Sequence, residues 1–292
     1  MNTLNDEVPV NVDIYQHLWK AQAHINVPDT IVYRYGRIDS WFFNGKASGK
    51  GPAPVMRKRQ FSIRHAGIME RIETAMGSDA AGPNEVIAVW MAGEPGEPSI
   101  VLHLTKTSLH HFLTNVPDKG HGILQRFVKP FGGHNSLVRS VRTPHHFALD
   151  FRVNWYATTD TRIPLAQRLA TFEGGVRHVN TSAVNRHLHG EAEQASETVM
   201  DAVDAVYCQR WMKVWSLTLN FKLDADACLW LVSCSEATLA VLDGEGHFVR
   251  VYQDPSIRRQ RLSQERVAKR GKQRDVRRSR GDSAAQGEEA GE

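Results

Sequence analysis

Residues Trp215 to Leu239, WSLTLNFKLDADACLWLVSCSEATL, constrain the fold of this chain more than any other stretch. Two runs rich in apolar, β-branched and aromatic residues flank a short acidic turn, which is the pattern of a β-hairpin. Asp224 and Asp226 suit the turn, because short carboxylates accept hydrogen bonds from neighbouring backbone N–H groups. Cys228 and Cys234 stand six apart on the expected second strand. An even spacing puts them on one face, as small core residues.

The remaining pattern alternates strands and helices. DIYQHLWKAQAHI reads as a short helix stopped before Pro28. TIVYRYGRIDSWFF reads as a hairpin broken at Gly36, and NGKASGKGPAP as a glycine-rich loop. That loop is not a phosphate cradle: Gly45 and Gly49 are separated by too few residues, and Gly51 rather than a hydroxyl residue follows Lys50. The second half of Gln60–Met76 has helical spacing, and EVIAVWM reads as a buried strand. From Pro98 onward SIVLHLT is a strand, and SLHHFLTN a helix capped by Thr107 or Ser108. ILQRFVKPF, SLVRSVRT and FALDFRVNWYA then suggest an antiparallel meander. LAQRLATF is a short helix with Pro164 at its first position, and His178–Gln194 is polar and irregular. Ser196 is expected to cap the helix ETVMDAVDAVYCQRW, with Val199, Val203 and Val206 on one stripe. A last strand pair, TLAVLD and HFVRVYQ, turns at Gly244–Gly246. The fold class is therefore α+β, with antiparallel or mixed sheets and packed helices. Three parts are expected: an irregular α+β segment (1–97), a compact α+β domain (98–254), and a disordered tail, basic then acidic (255–292).

Charge is concentrated at the C-terminus. The chain of 292 residues has a formal net charge of +4. Residues 257–280 alone hold eleven lysines and arginines against two acids, so the body before them is nearly neutral. Arg258, Arg259, Arg261, Lys269, Arg270, Lys272, Arg277 and Arg278 form a polyanion-binding segment suited to RNA, acidic tubulin tails or anionic membrane. The segment has no aromatic residue, so any nucleic-acid contact runs through the phosphate backbone; a nuclear-localisation signal explains the same charges equally well. No window is apolar enough for a membrane-spanning helix, and MNTLNDEVPVNVD is too acidic for a secretory or transit signal. Three cysteines without a CxxC pair point to reduced thiols in a cytoplasmic setting.

Over residues 98–240 the order and spacing of elements resemble the nucleotide-holding half of the ATP-grasp superfamily, which includes carboxylate–amine ligases and tubulin tyrosine ligase-like enzymes. The residues that carry the resemblance are the strand Ile100–Leu104, the hinge-like Gln125-Arg126-Phe127-Val128, the turn Gly132-Gly133, Arg139 at the next strand, and LNFKLDADACLWLVSCS. The resemblance implies a ligand cleft touched by Gln125, Arg126, Arg139, Asn220 and Ser233. It also implies magnesium-binding carboxylates on the last strand pair, and here the pattern departs. Asn220 stands where the first acid belongs, and Ser233 and Ser235 replace the Glu and Asn of the second. His103 stands where the strand lysine belongs, with Lys106 near. Hard divalent cations need anionic oxygens, so neither a metal nor a cofactor is expected.

Two arginines on the meander, Arg139 and Arg142, are three apart and so face opposite ways on a strand. Arg126 or Arg139 could grip a phosphate or acidic peptide with its planar fork, and the alternative for the meander arginines is outward charge on a half-exposed sheet. His110-His111, His145-His146 and His187-x-His189 lack the spacing of four that a helical zinc pair needs. The resulting expectation is a non-catalytic binding or scaffold protein with a protein partner and a basic tail, associated with the cytoskeleton (microtubule or flagellum). The alternatives are an ATP-dependent carboxylate–amine ligase using ATP and magnesium, and a ribonucleoprotein component.

Overall fold

The computed structural model describes residues 13–46, 51–76, 82, 84–92, 100–114, 121–172, 178–207, 212–242 and 248–253. The fold is α+β, with two six-stranded sheets whose described pairings are all antiparallel. Two compact units divide at Tyr252/Gln253. The basic segment with Arg258 through Arg278 lies outside the described residues.

The first sheet holds β1 (Thr30–Arg34), β2 (Arg37–Asn44), β3 (Val55–Arg59), β4 (Val86–Ala92), β5 (Ile100–Thr105) and β6 (Gly122–Arg126), in the order β3-β2-β1-β6-β4-β5. The β1–β2 hairpin turns where expected, at Tyr35 and Gly36, both with positive φ (51° and 72°). Such a pair of left-handed residues matches the right-handed twist of the flanking strands. The strand β3 falls where only a loop and its exit are read from sequence. Three successive cations mask its apolar pattern.

One face of this sheet is covered by the helices α2 (His65–Ala75) and α3 (Lys106–Thr114). Ile31, Tyr33, Trp41, Ile87, Trp90 and Leu124 form a core there with Ile68, Ile72, Leu109 and Leu113. Burying each such side chain stabilises the fold by roughly 1.5–3 kcal/mol. Thr105, rather than Thr107 or Ser108, sits at the start of α3: its N–H donates to Ser108 Oγ at 2.7 Å. Ser108 N–H returns the bond to Thr105 Oγ1 at 3.4 Å, in a reciprocal cap.

The second sheet holds β7 (His134–Arg142), β8 (Phe147–Ala157), β9 (Val179–Thr181), β10 (Met212–Leu223), β11 (Leu229–Leu242) and β12 (Phe248–Gln253), in the order β12-β11-β10-β7-β8-β9. The meander expected from sequence is split. β6 pairs with β1 and β4, whereas β7 and β8 belong to the other sheet. The first sheet thus takes strands from both sides of residue 97. Local pattern fixes strand identity but not partners, because pairing is decided by which faces can be buried together.

The helix α5 (Arg186–Tyr207) starts well before Ser196. Asn185 Oδ1 accepts the Leu188 N–H at 2.8 Å and caps it, while Ser196 is interior, donating to Ala192 O at 2.7 Å. The apolar stripe continues backward through Ala192 and Leu188, both buried, between Glu191, Glu193 and Gln194 that disguise it. At α4 (Leu165–Arg168), a single turn, Pro164 is the N-cap. Cys234 is buried but Cys228 is exposed in the turn before β11, so the two do not share a core face.

α5 and α1 (Ile14–Lys20) build the largest core with β10 and β11, through Leu188, Val199, Val203, Leu217, Leu219, Phe221 and Leu231 among others. This uses one face of the second sheet. The other face is turned toward a cleft against the first sheet.

Candidate functional site

The alternation of side chains across a strand assembles the cleft. On β10, Asn220 pairs with Arg139 of β7 on one side and with Ser233 of β11 on the other. Lys222, two residues on, shares the face of Asn220. β7 contributes Asn135, Leu137 and Arg139, and β8 contributes Asp150, Arg152 and Asn154, so one face of the sheet is polar and mostly cationic. Arg142 faces the other way, toward α5, where Nη1 is 3.1 Å from Glu193 Oε1. That is the opposition expected for residues three apart.

From the first sheet come Val89 and Met91 of β4, Val101 and His103 of β5, and Gln125 and Arg126 of β6. With Phe127, Val128, Asn135, Leu137, Leu169, Thr171, Lys222, Val232 and Ser233 they enclose a cleft of about 50 Å³. Small-molecule sites start at roughly 300 Å³, so the cleft is narrow in this conformation.

Of the residues expected at a ligand site, Gln125, Arg126 and Ser233 line the cleft, while Arg139 and Asn220 join it through Ser233. Gln125 is buried and donates from Nε2 to Thr30 Oγ1 (2.8 Å) and Tyr15 Oη (3.1 Å). Tyr15 in turn donates to Val232 O at 2.8 Å, tying α1 to the cleft floor. Burial pushes the Tyr15 phenol upward, so it stays a neutral donor. Arg126 lies 5.1 Å over the Trp230 ring and 3.9 Å from Asp29 Oδ2. Burial lowers its affinity for the proton, and the charge of Asp29 opposes this.

Arg139, Asn220 and Ser233 form one hydrogen-bonded row: Arg139 Nε to Asn220 Oδ1 at 3.0 Å, and Asn220 Nδ2 to Ser233 Oγ at 2.9 Å. This row does not suit magnesium. A divalent cation would meet an amide, a hydroxyl and a guanidinium where it needs carboxylates. Among the described residues no group of three or more His, Cys, Asp or Glu side chains is placed to hold a metal ion. Asp224 and Asp226 act in the turn: Asp224 Oδ1 accepts the Asp226 and Cys228 N–H groups, and Oδ2 accepts Trp230 Nε1.

Four residues not singled out from sequence, Lys222, Asn135, Phe172 and Asn154, shape the site together with His103. Lys222 Nζ donates to Asn135 Oδ1 at 2.6 Å and lies 4.1 Å over the Phe127 ring. His103 meets the edge of the same ring. Burial, assisted by the positive charge of Lys222, lowers the His103 pKa to about 3. The imidazole is therefore neutral at physiological pH and does not replace a strand lysine. Lys106 points elsewhere and pairs with Glu73 at 3.1 Å. Phe172 is buried, with the Arg139 guanidinium at 3.8 Å from its ring centre and the Arg152 guanidinium at 4.1 Å. The strap 165–172 that ends in Phe172 is fastened to the polar face. Asn154 Nδ2 donates to Gln167 O (2.7 Å) and Ala170 O (2.8 Å), and Asn135 Nδ2 to Leu169 O. The signal for Lys222 was present in TLNFKL, where Thr218, Asn220 and Lys222 alternate with apolar residues.

No family model matches this chain, and no curated protein matches it. Among solved structures it is similar to the ADP complex of PurK, an N5-carboxyaminoimidazole ribonucleotide synthetase (TM-score 0.39, 11% identity, 78% of this chain and 44% of that one). It is also similar to the D-cycloserine synthetase DcsG (TM-score 0.43, 10% identity, 76% and 61%). A third is an L-amino acid ligase from Bacillus licheniformis (TM-score 0.34, 9% identity, 82% and 42%). These are ATP-grasp carboxylate–amine ligases, the superfamily that the sequence resembles, and the likeness is a distant one of fold. The chain spans about half the length of the structures it matches.

Proposed function

We propose that the inter-sheet cleft, on widening from the narrow form of this conformation, binds a small anion carrying a flat apolar group, a ligand of the nucleotide class. In this reading the chain works by binding that ligand rather than by magnesium-assisted phosphoryl transfer at its last hairpin. The observation that carries the reading is the lining of the cleft. Lys222 and Arg126 supply positive charge, no lining residue is acidic, and Val89, Met91, Val101, Leu137 and Val232 supply apolar walls. A cation in a low-dielectric slot attracts an anion far more strongly than one in water. Gln125 and Asn135 add amide groups that fix orientation, as polar groups do in mostly apolar sites. Asn220 and Ser233 bring no formal charge, and Arg139 beside them repels a divalent cation.

For the segment 257–280 the reading rests on charge: eleven cations add salt-sensitive affinity for an acidic polymer, with microtubules the first to test. Cosedimentation of the full chain and of a form lacking 257–280 tests this part, and equal pelleting of the two removes the segment from the proposal.

Calorimetric titration with ATP, with and without magnesium, tests the cleft. Micromolar binding that does not need magnesium is expected, weakened roughly tenfold (1.4 kcal/mol) in Lys222→Met. Absence of binding in both conditions would refute the reading. Binding and turnover that appear only with magnesium would instead assign the chain to ATP-dependent carboxylate–amine ligation.

A further inference from the structure

A sheet edge offers unpaired N–H and C=O groups to any other strand, and proteins normally blunt such edges with charge, proline, bulges or brevity. Three of the four edges here follow that rule. β3 carries Arg57, Lys58 and Arg59 in succession and follows Pro54. β9 is only three residues long. β12 holds Arg250 in its sequence. β5 is the exception. Its residues IVLHLT include no lysine, arginine, acid or proline, and among the described residues no strand pairs with its outer side. Ile100 is 55% exposed and Leu102 45% exposed on this strand.

We propose that β5 pairs antiparallel with β5 of a second copy of this chain, joining two first sheets into one continuous sheet. Symmetry selects this occupant. A two-fold axis perpendicular to the sheet sets the edge against its own copy, so an edge carrying charge of a single sign repels itself and a neutral one does not. β3 is forbidden by its three cations, and β5 is permitted. With the axis at Leu102, Leu102 faces Leu102 of the other copy, and Ile100 faces Leu104. Opposed residues of an antiparallel pair share a face, so the two exposed side chains of each copy meet apolar partners. On the other face Val101 meets His103, which is uncharged at neutral pH and adds no repulsion.

Sedimentation equilibrium of the full chain through the micromolar range tests the proposal. The expected result is a reversible dimer. Leu102→Lys sets two ammonium groups directly opposite, with Cβ atoms about 5 Å apart, and is expected to weaken dimerisation at least tenfold with an unchanged circular dichroism spectrum. In a background with Cys208 and Cys228 changed to serine, Leu102→Cys is expected to give a disulfide-linked dimer on mild oxidation, and Val101→Cys far less. A wild-type monomer at every concentration overturns the proposal and leaves the edge to some other extended peptide. A dimer that persists in folded Leu102→Lys overturns it too, as does failure of Leu102→Cys to crosslink, which also decides the matter should Leu102→Lys misfold.

Discussion

Arg139 and Asn220 are bonded twice over. They are opposite partners on the β7–β10 ladder, and Arg139 Nε donates to Asn220 Oδ1 at 3.0 Å. The same amide passes the row on to Ser233 Oγ at 2.9 Å. A neutral amide at this point of the sheet thus holds a guanidinium cation on one side and a hydroxyl on the other. Asn220→Ala would strip Arg139 of this acceptor and Ser233 of this donor. The expected cost is about 1–3 kcal/mol, the range for removing one partner from largely buried hydrogen bonds. Urea denaturation checks it as a lowered midpoint with an unchanged slope.

The strap 165–172 depends on Asn154, whose single amide nitrogen holds two strap carbonyls. Asn154→Ala is expected to free the strap while leaving the core under α5 intact. Hydrogen exchange over 165–172 should speed up by about tenfold or more, since two hydrogen bonds of roughly 1 kcal/mol each are lost. Unchanged exchange there would show that the Asn135–Leu169 bond and Phe172, wedged against Arg139 and Arg152, suffice to hold it.

Much of this was legible in the sequence. β8 and the hairpin around Asp224 follow from alternation and turn chemistry, because each is settled by neighbours in the chain. What stayed hidden depends on partners far away. Gln125 was placed at the cleft only through a family resemblance. No local pattern could show that β6 enters the first sheet between β1 and β4, which is what points Gln125 at Tyr15 and Thr30. Phe172 lies in a segment read as a plain helix, and only the folded sheet brings Arg139 and Arg152 to its ring. Ser196 looks like a cap because serine favours that position. Its burial against Ser140, with the hydroxyl oxygens 2.9 Å apart, allows it inside the helix instead.

Gly122 opens β6 where the backbone passes close to β4. An added Cβ would lie 2.6 Å from Met91 O and 2.7 Å from carbons of the Trp90 ring. Trp90 is held edge-on by Tyr33 at 5.3 Å and by a tilted Phe112 ring at 5.1 Å, so it has little freedom to retreat. Gly122→Ala is therefore expected to destabilise by about 1–3 kcal/mol, as overpacking does. Thermal unfolding would register this as a loss of several degrees.

His103 gives the cleft a pH signature. Its ordinary pKa of 6.5 falls to about 3 in the fold, because burial and the charge of Lys222 both penalise the imidazolium. The unfolded chain therefore takes up a proton near pH 6.5 that the folded chain refuses. Stability from this group is fully present above that pH. It declines as pH falls from about 6.5 toward 3, by at most about 1.4 kcal/mol per pH unit for one proton. In His103→Gln the position no longer titrates, so this part of the acid sensitivity should vanish. Urea melts of both proteins near neutrality and near pH 5 would show it as a smaller loss for the variant. Equal losses would mean that His103 is protonated as readily in the fold as outside it, and that Lys222 does not face it across the cleft.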